Sequence, residues 1–251
     1  MKRRRGLAVA GVIAVAVIGG CSSPTRSATT ITVFAAASLK KSFTEIAERF
    51  ESDHPGTEVE MSFAGSADLV TQLTQGAAAD VFASADTGTM DTAARAGLLS
   101  GDPVDFASNT LTIAVAPGNP KLITSLSDLT RPGLAVVVCA PQVPCGAAAH
   151  KVELVAGVTL TPASEESQVT DVVNKVETGQ ADAGLVYVTD VLAAGDRVTG
   201  VPFPEATGAV NTYPIAVLKQ SEHPDLAHGF VELLTGESGR KILSAHGFGE
   251  P

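Results

Sequence analysis

Four residues lie at places where a predicted strand is followed by the predicted start of a helix. Ser38 and Ser66 each follow a short β-rich run, and Cys145 and Val169 stand at equivalent places further along the chain. The first turn of a helix exposes unpaired backbone N–H groups and the positive end of the helix dipole, and both favour an anion. If the four helix starts face one cleft, they predict a site for a small anion that needs no formal positive charge.

The elements that must position these residues alternate between strands and helices. The β-rich run Ile31 to Phe34 precedes a segment whose apolar residues recur every three or four positions, at Leu39, Phe43, Ile46 and Phe50. The same alternation continues through two further strands and two further helices, which is typical of a parallel sheet covered by helices. Ligands of such sheets bind at the carboxyl ends of the strands, where the helix starts lie.

A second α/β unit is predicted from Leu111 onward, and two amphipathic helices follow the last strand, Tyr213 to Leu218. We therefore expect an α/β fold with two lobes, each a mostly parallel sheet flanked by helices, and a chain that crosses twice between them. The predicted first lobe comprises residues 31–108 and 220–251, and the second comprises residues 109–219. A cleft between lobes is the usual place for a small ligand.

Charge excludes several classes of partner. The chain has 251 residues with 17 basic and 27 acidic side chains. Four of the basic residues lie within residues 1–20, so the remaining 13 stand against 27 acidic ones, a formal charge of −14. Nucleic acids are bound through Lys and Arg that neutralise phosphates, so this balance argues against them and against an anionic membrane surface.

The N-terminus resembles a secretory signal. Basic residues at positions 2 to 5 precede an uncharged apolar run, Leu7 to Gly20, which is too short for a typical membrane span. Cys21 follows two glycines, as in the lipobox of bacterial lipoproteins, so residues 1–20 are predicted to be a lipoprotein signal peptide, Cys21 the lipid attachment site and residues 21–30 a flexible tether. The alternative is ordinary secretion with an incidental cysteine.

The two other cysteines, Cys139 and Cys145, lie six positions apart. An exported protein meets an oxidising environment, so a disulfide between them is predicted alongside the alternative of two free thiols. No pair of cysteines has the spacing of a metal site, so we expect no metal bound as a free cation.

Taken together, these segments resemble the periplasmic molybdate-binding proteins of ABC importers. The similarity spans nearly all of residues 31–248 in the family's order. It is carried by segments 32–39, 62–66, 79–86, 143–146, 166–169, 184–187 and 213–217. Two departures stand out: Cys145 occupies a position where the family commonly has a small residue such as Ala, and Gly65 one where Ser is frequent.

The resemblance implies a type II periplasmic-binding-protein fold and a set of residues that bind molybdate or tungstate. Ser38 and Ser66 would each give a hydroxyl and a backbone N–H, Cys145 and Val169 a backbone N–H, and Tyr187 its phenolic O–H. Such a set contains donors only, which favours a fully deprotonated dianion. The resemblance further implies no cofactor, closure of the lobes on the anion, and delivery to a membrane permease by a lipid-anchored, monomeric carrier outside the cytoplasm.

Several alternatives remain open from the sequence. The same fold also suits sulfate or another oxyanion. Ser38 with Lys41 matches the S-x-x-K motif of serine acyl transferases, although the Lys-Thr-Gly and Ser-Asp-Asn motifs of those enzymes do not occur. Asp80 and Asp86 are conceivable metal ligands but fit loop caps better, and a scaffold lipoprotein would bind no small ligand. Serine is also a favoured N-cap, so Ser38 and Ser66 taken singly favour capping.

Overall fold

A computed structural model describes residues 28–251 of the protein. The predicted signal peptide, Cys21 and the tether up to residue 27 lie outside these described residues. The first strand already begins at Thr29, so the last two residues of the predicted tether, 29 and 30, belong to this strand. No helix within the described range is both long enough and apolar enough to cross a bilayer.

Ten strands and eight α-helices make up the described chain. The strands are β1 (Thr29–Ala36), β2 (Thr57–Ala64), β3 (Val81–Ala83), β4 (Val104–Asn109), β5 (Leu111–Val115), β6 (Val136–Cys139), β7 (Ser164–Glu166), β8 (Ala183–Tyr187), β9 (Thr199–Val201) and β10 (Asn211–Val217). The α-helices are α1 (Lys40–Asp53), α2 (Ser66–Thr74), α3 (Thr87–Arg95), α4 (Pro144–Ala156), α5 (Val169–Glu177), α6 (Val188–Ala194), α7 (Pro224–Thr235) and α8 (Glu237–Ala245).

The strands form two five-stranded sheets with matching topology. The first sheet has the order β2-β1-β3-β10-β4, in which β10 alone runs against the other strands. The second has the order β7-β6-β8-β5-β9, in which β5 alone is reversed. Each sheet therefore keeps most carboxyl ends of its strands along one edge. This arrangement confirms the predicted α/β fold of two mostly parallel lobes.

The chain crosses between the lobes twice. It leaves the first sheet after Asn109 and enters the second at Leu111, where the predicted boundary lay between residues 108 and 109. It returns between Val201 and Asn211, whereas the predicted second lobe extended to residue 219. The structure differs here because β10 pairs with β3 and β4 of the first sheet. An apolar strand does not reveal in its own sequence which sheet it will join.

An aromatic cluster forms the core of the first lobe. The apolar stripe of α1 buries Phe43 and Phe50 completely against Phe230 of α7, with ring centroids 6.1 and 5.5 Å apart. Phe106 of β4 adds a further contact with Phe43, at 5.7 Å. Aromatic side chains bury large areas and gain further from edge-to-face packing, so this cluster holds α1 and α7 on the sheet.

Replacing Phe230 by Ala tests this role of the cluster. We expect Phe230→Ala to lower the free energy of unfolding by about 3 to 5 kcal/mol, because it leaves a cavity beside the rings of Phe43 and Phe50. Urea unfolding monitored by circular dichroism measures the change. Leu154→Ala on the 69% exposed side chain of α4 is the control and is expected to stay within about 0.5 kcal/mol. Equal losses in the two variants would contradict the account.

Candidate functional site

A small cavity lies between the two lobes, and all five predicted site residues line it: Ser38, Ser66, Cys145, Val169 and Tyr187. The volume of this cavity is about 20 Å³. Pockets for organic ligands are commonly about 300 to 1,000 Å³, so this cavity suits a small inorganic ion. Among the described residues that line it, none carries a charged side chain.

The first lobe contributes two consecutive strand-to-helix junctions. β1 and β2 are parallel neighbours whose last residues, Ala36 and Ala64, are paired in register. Ser38 follows β1 in a single 3-10 turn, and Ser66 is the first residue of α2. Neither serine side chain caps its helix, since no side-chain cap hydrogen bond forms at either start. The plain capping interpretation of these two serines is therefore wrong, and both hydroxyls remain available to the cavity.

The second lobe contributes three junctions of the same kind. Cys145 is the second residue of α4, Val169 the first of α5, and Tyr187 the last of β8, directly before α6. The strands β6, β7 and β8 are parallel neighbours, so their carboxyl ends bring these junctions together. The four helix starts singled out in the sequence thus meet at one cavity.

Each hydroxyl of the cavity has a protein partner behind it. The Ser66 Oγ accepts a hydrogen bond from the Ala85 N–H at 3.1 Å, and the Ser38 Oγ lies 3.1 Å from the Tyr213 Oη. The Tyr187 Oη accepts a hydrogen bond from the Asn211 Nδ2 at 2.8 Å. Tyr187 is 1% exposed, and this burial raises its pKa above the ordinary value, so the phenol keeps its proton.

The sequence gives only a weak signal for these partners. Asn211, Asn109 and Tyr213 are all buried, and Asn109 is register partner to Asn211. Asn109 ends β4 and Asn211 begins β10, and a strand end is a place where an asparagine is also common as a turn residue. Their role depends on contacts between residues up to 175 positions apart, such as Ser38 with Tyr213.

A disulfide joins Cys139, the last residue of β6, to Cys145 at the start of α4. The two Sγ atoms are 2.09 Å apart and the two Cα atoms 5.6 Å apart. The bond ties the loop between them to the helix start whose N–H groups face the cavity. Gly146 adds to this tight packing, because a Cβ there would lie 1.9 Å from the Ala140 carbonyl oxygen.

The lobes approach each other closely at Gly65. A Cβ at this position would lie 2.2 Å from the Ser167 carbonyl oxygen, which belongs to the loop before α5 in the other lobe. The serine that is frequent here in the resembled family would meet the same atom. Lys41 adds a second contact across the cleft, since its Nζ donates to the Ala193 carbonyl at 2.5 Å. Both features show that the two lobes lie close together around the cavity.

The residues of the alternative interpretations have other partners. Lys41 bonds to Ala193 and the Ser38 hydroxyl to Tyr213, so this arrangement does not pair the serine with the lysine as an acyl transferase requires. The Asp86 side chain caps α3 by accepting from the Thr89 N–H, and Asp80 accepts from the Thr32 N–H. Residues 28–251 contain no group of three side chains placed to hold a metal ion.

Two α/β lobes joined by two crossings, with a small donor-lined cavity between them, define a two-lobed solute-binding protein. The chain belongs to the bacterial extracellular solute-binding protein family, whose model matches residues 31–249.

Individual relatives agree with this assignment. The chain is 57% identical over 246 residues to the molybdate-binding protein ModA of Mycobacterium tuberculosis, covering 97% of this chain and 94% of the relative. It superposes on the periplasmic molybdate-binding protein of Azotobacter vinelandii with a TM-score of 0.76 at 21% identity, covering 88% and 99% of the two chains. The sulfate-binding protein SubI of M. tuberculosis gives the same TM-score and identity, covering 88% and 86%.

A carboxyl group close to the cavity also has a raised pKa. Asp190 on α6 is 5% exposed, and burial raises its pKa from 3.8 to about 7, partly offset by the hydrogen bond that its Oδ2 accepts from the Tyr187 N–H. A raised pKa in the folded state means that the folded protein holds this proton more strongly than the unfolded chain. Ionisation of Asp190 therefore removes stability as the pH rises from about 4 to about 7.

Replacing Asp190 by Asn tests this linkage. Asn keeps an oxygen for the Tyr187 N–H and cannot ionise, so Asp190→Asn is expected to resemble the wild type at about pH 4 and to be more stable by up to about 4 kcal/mol at about pH 8. Urea unfolding at a series of pH values measures both curves. Parallel curves for the two proteins would show that Asp190 ionises as an ordinary carboxyl.

Proposed function

We propose that this protein captures molybdate, and also tungstate, outside the cytoplasm and delivers it to an ABC importer. The observation that carries the proposal is the uncharged cavity between the lobes, onto which five donor residues from both lobes converge. A fully deprotonated tetrahedral dianion accepts hydrogen bonds in every direction, so it can use donors from both lobes at once. The name of the M. tuberculosis relative supports molybdate as the anion.

The energetics allow tight binding without a cation. The two serines offer a hydroxyl and an N–H each, Tyr187 a hydroxyl, and Cys145 and Val169 an N–H each. A hydrogen bond to a charged group contributes about 1.5 to 3 kcal/mol, and association costs very roughly 4 to 15 kcal/mol. About seven such bonds can exceed this cost, so micromolar or tighter binding is reachable with this donor set.

Sulfate is the second candidate anion, because the fold is shared with the sulfate-binding protein SubI. Both sulfate and molybdate are dianions near neutral pH, so the donor set does not separate them by charge. Cavity size must do so, since molybdate is the larger ion. The five donors are those that the resemblance to molybdate-binding proteins assigns to the oxyanion, which favours molybdate.

The cellular role follows from the family and the N-terminus. Membership of an extracellular solute-binding family supports export, and the sequence Gly19-Gly20-Cys21 supports a lipid anchor on the outer face of the cell membrane. The protein would act as a monomeric carrier with no cofactor and no catalytic step, and its partner would be the membrane permease of the importer.

Closure of the lobes provides the mechanism of capture. Ser38 and Ser66 belong to one lobe and Cys145, Val169 and Tyr187 to the other, so a bound anion contacts both sets of donors only in the closed form. The anion thereby stabilises the closed form and shifts the population toward it. The permease can then distinguish loaded from empty protein by shape.

The first test compares melting temperatures of the purified, ligand-stripped protein with molybdate, tungstate, sulfate, phosphate and chloride at equal ionic strength. We expect molybdate and tungstate alone to raise the melting temperature by several degrees, because a ligand at a hundredfold excess over its Kd adds about 2.7 kcal/mol to the free energy of unfolding.

A variant of one donor residue extends this test. Ser66→Ala should weaken molybdate binding about 10- to 100-fold, and Ser52→Ala, at an exposed position, should leave the affinity unchanged. An equal shift with sulfate would favour the second candidate, and no shift with any anion would refute the proposal.

The close approach at Gly65 gives a second test. Gly65→Ala places a methyl group against the Ser167 carbonyl, so full closure is expected to become less favourable and molybdate affinity to fall about 10-fold. Isothermal titration calorimetry measures the affinity. Gly88→Ala on α3, where a Cβ meets only the Asp86 carboxylate at 3.8 Å, is the matched control. Unchanged affinity in Gly65→Ala would show that the lobes need not approach this closely.

A further inference from the structure

The direction of each hydroxyl proton decides what the cavity can bind. A hydroxyl can donate one hydrogen bond and accept others, so its role depends on its neighbours. The proposed anion needs donors, whereas an oxyanion that carries a proton, such as hydrogen phosphate, also needs an acceptor. The groups behind Tyr187, Ser38 and Ser66 determine which of the two the cavity offers.

Asn211 sets the direction for Tyr187. The Asn211 Nδ2 lies 2.9 Å from the Ala85 carbonyl oxygen and 2.8 Å from the Tyr187 Oη. A backbone carbonyl only accepts, so the atom that faces it must be the amide nitrogen, and its second hydrogen points to the phenol oxygen. The Tyr187 oxygen therefore accepts from Asn211, and its own proton is left for the cavity.

Asn109 sets the direction for Ser38 through Tyr213. The Asn109 Oδ1 accepts from the Thr110 N–H at 3.0 Å, which identifies the other atom of the amide as Nδ2. This nitrogen lies 2.8 Å from the Thr189 Oγ1 and 3.4 Å from the Tyr213 Oη. The Asn109 amide gives the Tyr213 oxygen a donor, which favours donation of the Tyr213 proton to the Ser38 Oγ at 3.1 Å. The Ser38 proton is then free to point into the cavity.

Ser66 reaches the same state without an asparagine. Its Oγ accepts from the Ala85 N–H, and a backbone N–H can only donate. Ala85 thus supports two hydroxyls, since its carbonyl also orients the Asn211 amide. The Ser66 and Tyr187 oxygens thus accept from fixed donors behind them and leave their protons for the cavity, and the Ser38 oxygen does the same when Tyr213 donates to it.

We propose that Asn211 and Asn109 are positioning residues that turn the hydroxyl protons of Tyr187 and Ser38 toward the anion. The cavity then contains donors only, and it rejects oxyanions that carry a proton. This inference rests on the proposed function, because it explains how the same site selects a fully deprotonated anion. Neither asparagine lines the cavity, so each acts through the hydroxyl in front of it.

The position of the two asparagines also links them to closure. Asn109 ends β4 at the first crossing, Asn211 begins β10 at the second, and the two are register partners. Each asparagine donates one hydrogen bond to the second lobe, Asn211 to Tyr187 and Asn109 to Thr189. Because the asparagines belong to the first sheet, both hydrogen bonds join the lobes. The proton of Tyr187 is therefore directed by the other lobe, next to the points about which the lobes move.

A double-mutant cycle tests the proposal. Molybdate affinity is measured by isothermal titration calorimetry for the wild type, Asn211→Leu, Tyr187→Phe and the double variant. We expect each single variant to bind about 10-fold more weakly or worse, and the double variant to match Tyr187→Phe within about threefold, because Asn211 acts through the phenol. Thr112→Val, which removes a buried hydrogen bond to the Val201 carbonyl away from the cavity, is the control and should bind as the wild type does.

A second variant keeps the shape of the side chain and reverses its polarity. Asn211→Asp presents an acceptor to Tyr187, so the phenol turns its proton away from the cavity. The preference for molybdate over phosphate is expected to fall about 10-fold or more, measured by competition at neutral pH. The same cycle with Asn109→Leu and Ser38→Ala tests the other asparagine.

The outcomes separate the two proposals. Fully additive losses in the cycle, or unchanged affinity and unchanged preference in both Asn211 variants, would overturn the positioning role while molybdate binding by the wild type stands. A wild-type protein that binds no molybdate would refute the proposed function and this inference with it. A fall in affinity that tracks only a lower melting temperature of the ligand-free variants would assign the asparagines a structural role alone.

Discussion

Under the proposed function, the structure depends on one electrostatic constraint: the cavity must stabilise a small anion away from water with partial charges only. Removing an anion from water is costly unless every direction is met by a donor. One helix start supplies too few N–H groups, so the cavity gathers several from two lobes and adds three hydroxyls. The matching topology of the two sheets serves this purpose, because it places the carboxyl ends of parallel strands from both lobes on the same cleft.

Close approach of backbones is the second requirement. Donors must lie about 3 Å from the ion on all sides, which leaves room only for the donor groups and for small residues where the lobes meet. Gly65 permits the first lobe to approach the Ser167 carbonyl, and Gly146 permits the start of α4 to pack on the loop after β6. The disulfide between Cys139 and Cys145 holds that same loop. The first lobe's aromatic core and these tight loops make each half of the site rigid before the halves meet.

The polar network behind the cavity gives the site its chemical direction. Three residues of this network do not line the cavity: Asn211, Asn109 and Tyr213. Ala85 forms part of the cavity wall and supports the network through its backbone. They decide which way protons point, and proton direction separates a deprotonated oxyanion from a protonated one. Because two of these residues begin and end the strands at the crossings, specificity and closure share the same part of the fold.

The sequence by itself determined the alternation of strands and helices, the two lobes and the helix starts at Ser38, Ser66, Cys145 and Val169, because these follow from local periodicity and from signals that a short segment encodes. The roles of these residues and of Tyr187 toward an anion come from the resemblance to molybdate-binding proteins. The sequence did not determine the lobe boundaries, because nothing in β10 shows that it joins the first sheet. It also did not predict the short strands β7 and β9, which have too few residues to show a period. Only the tertiary structure decided that Asn211 lies behind Tyr187, that Tyr213 lies behind Ser38 and that Gly65 meets Ser167. These are contacts between distant segments, whose partners are chosen by packing of the whole chain and leave no pattern in either segment alone.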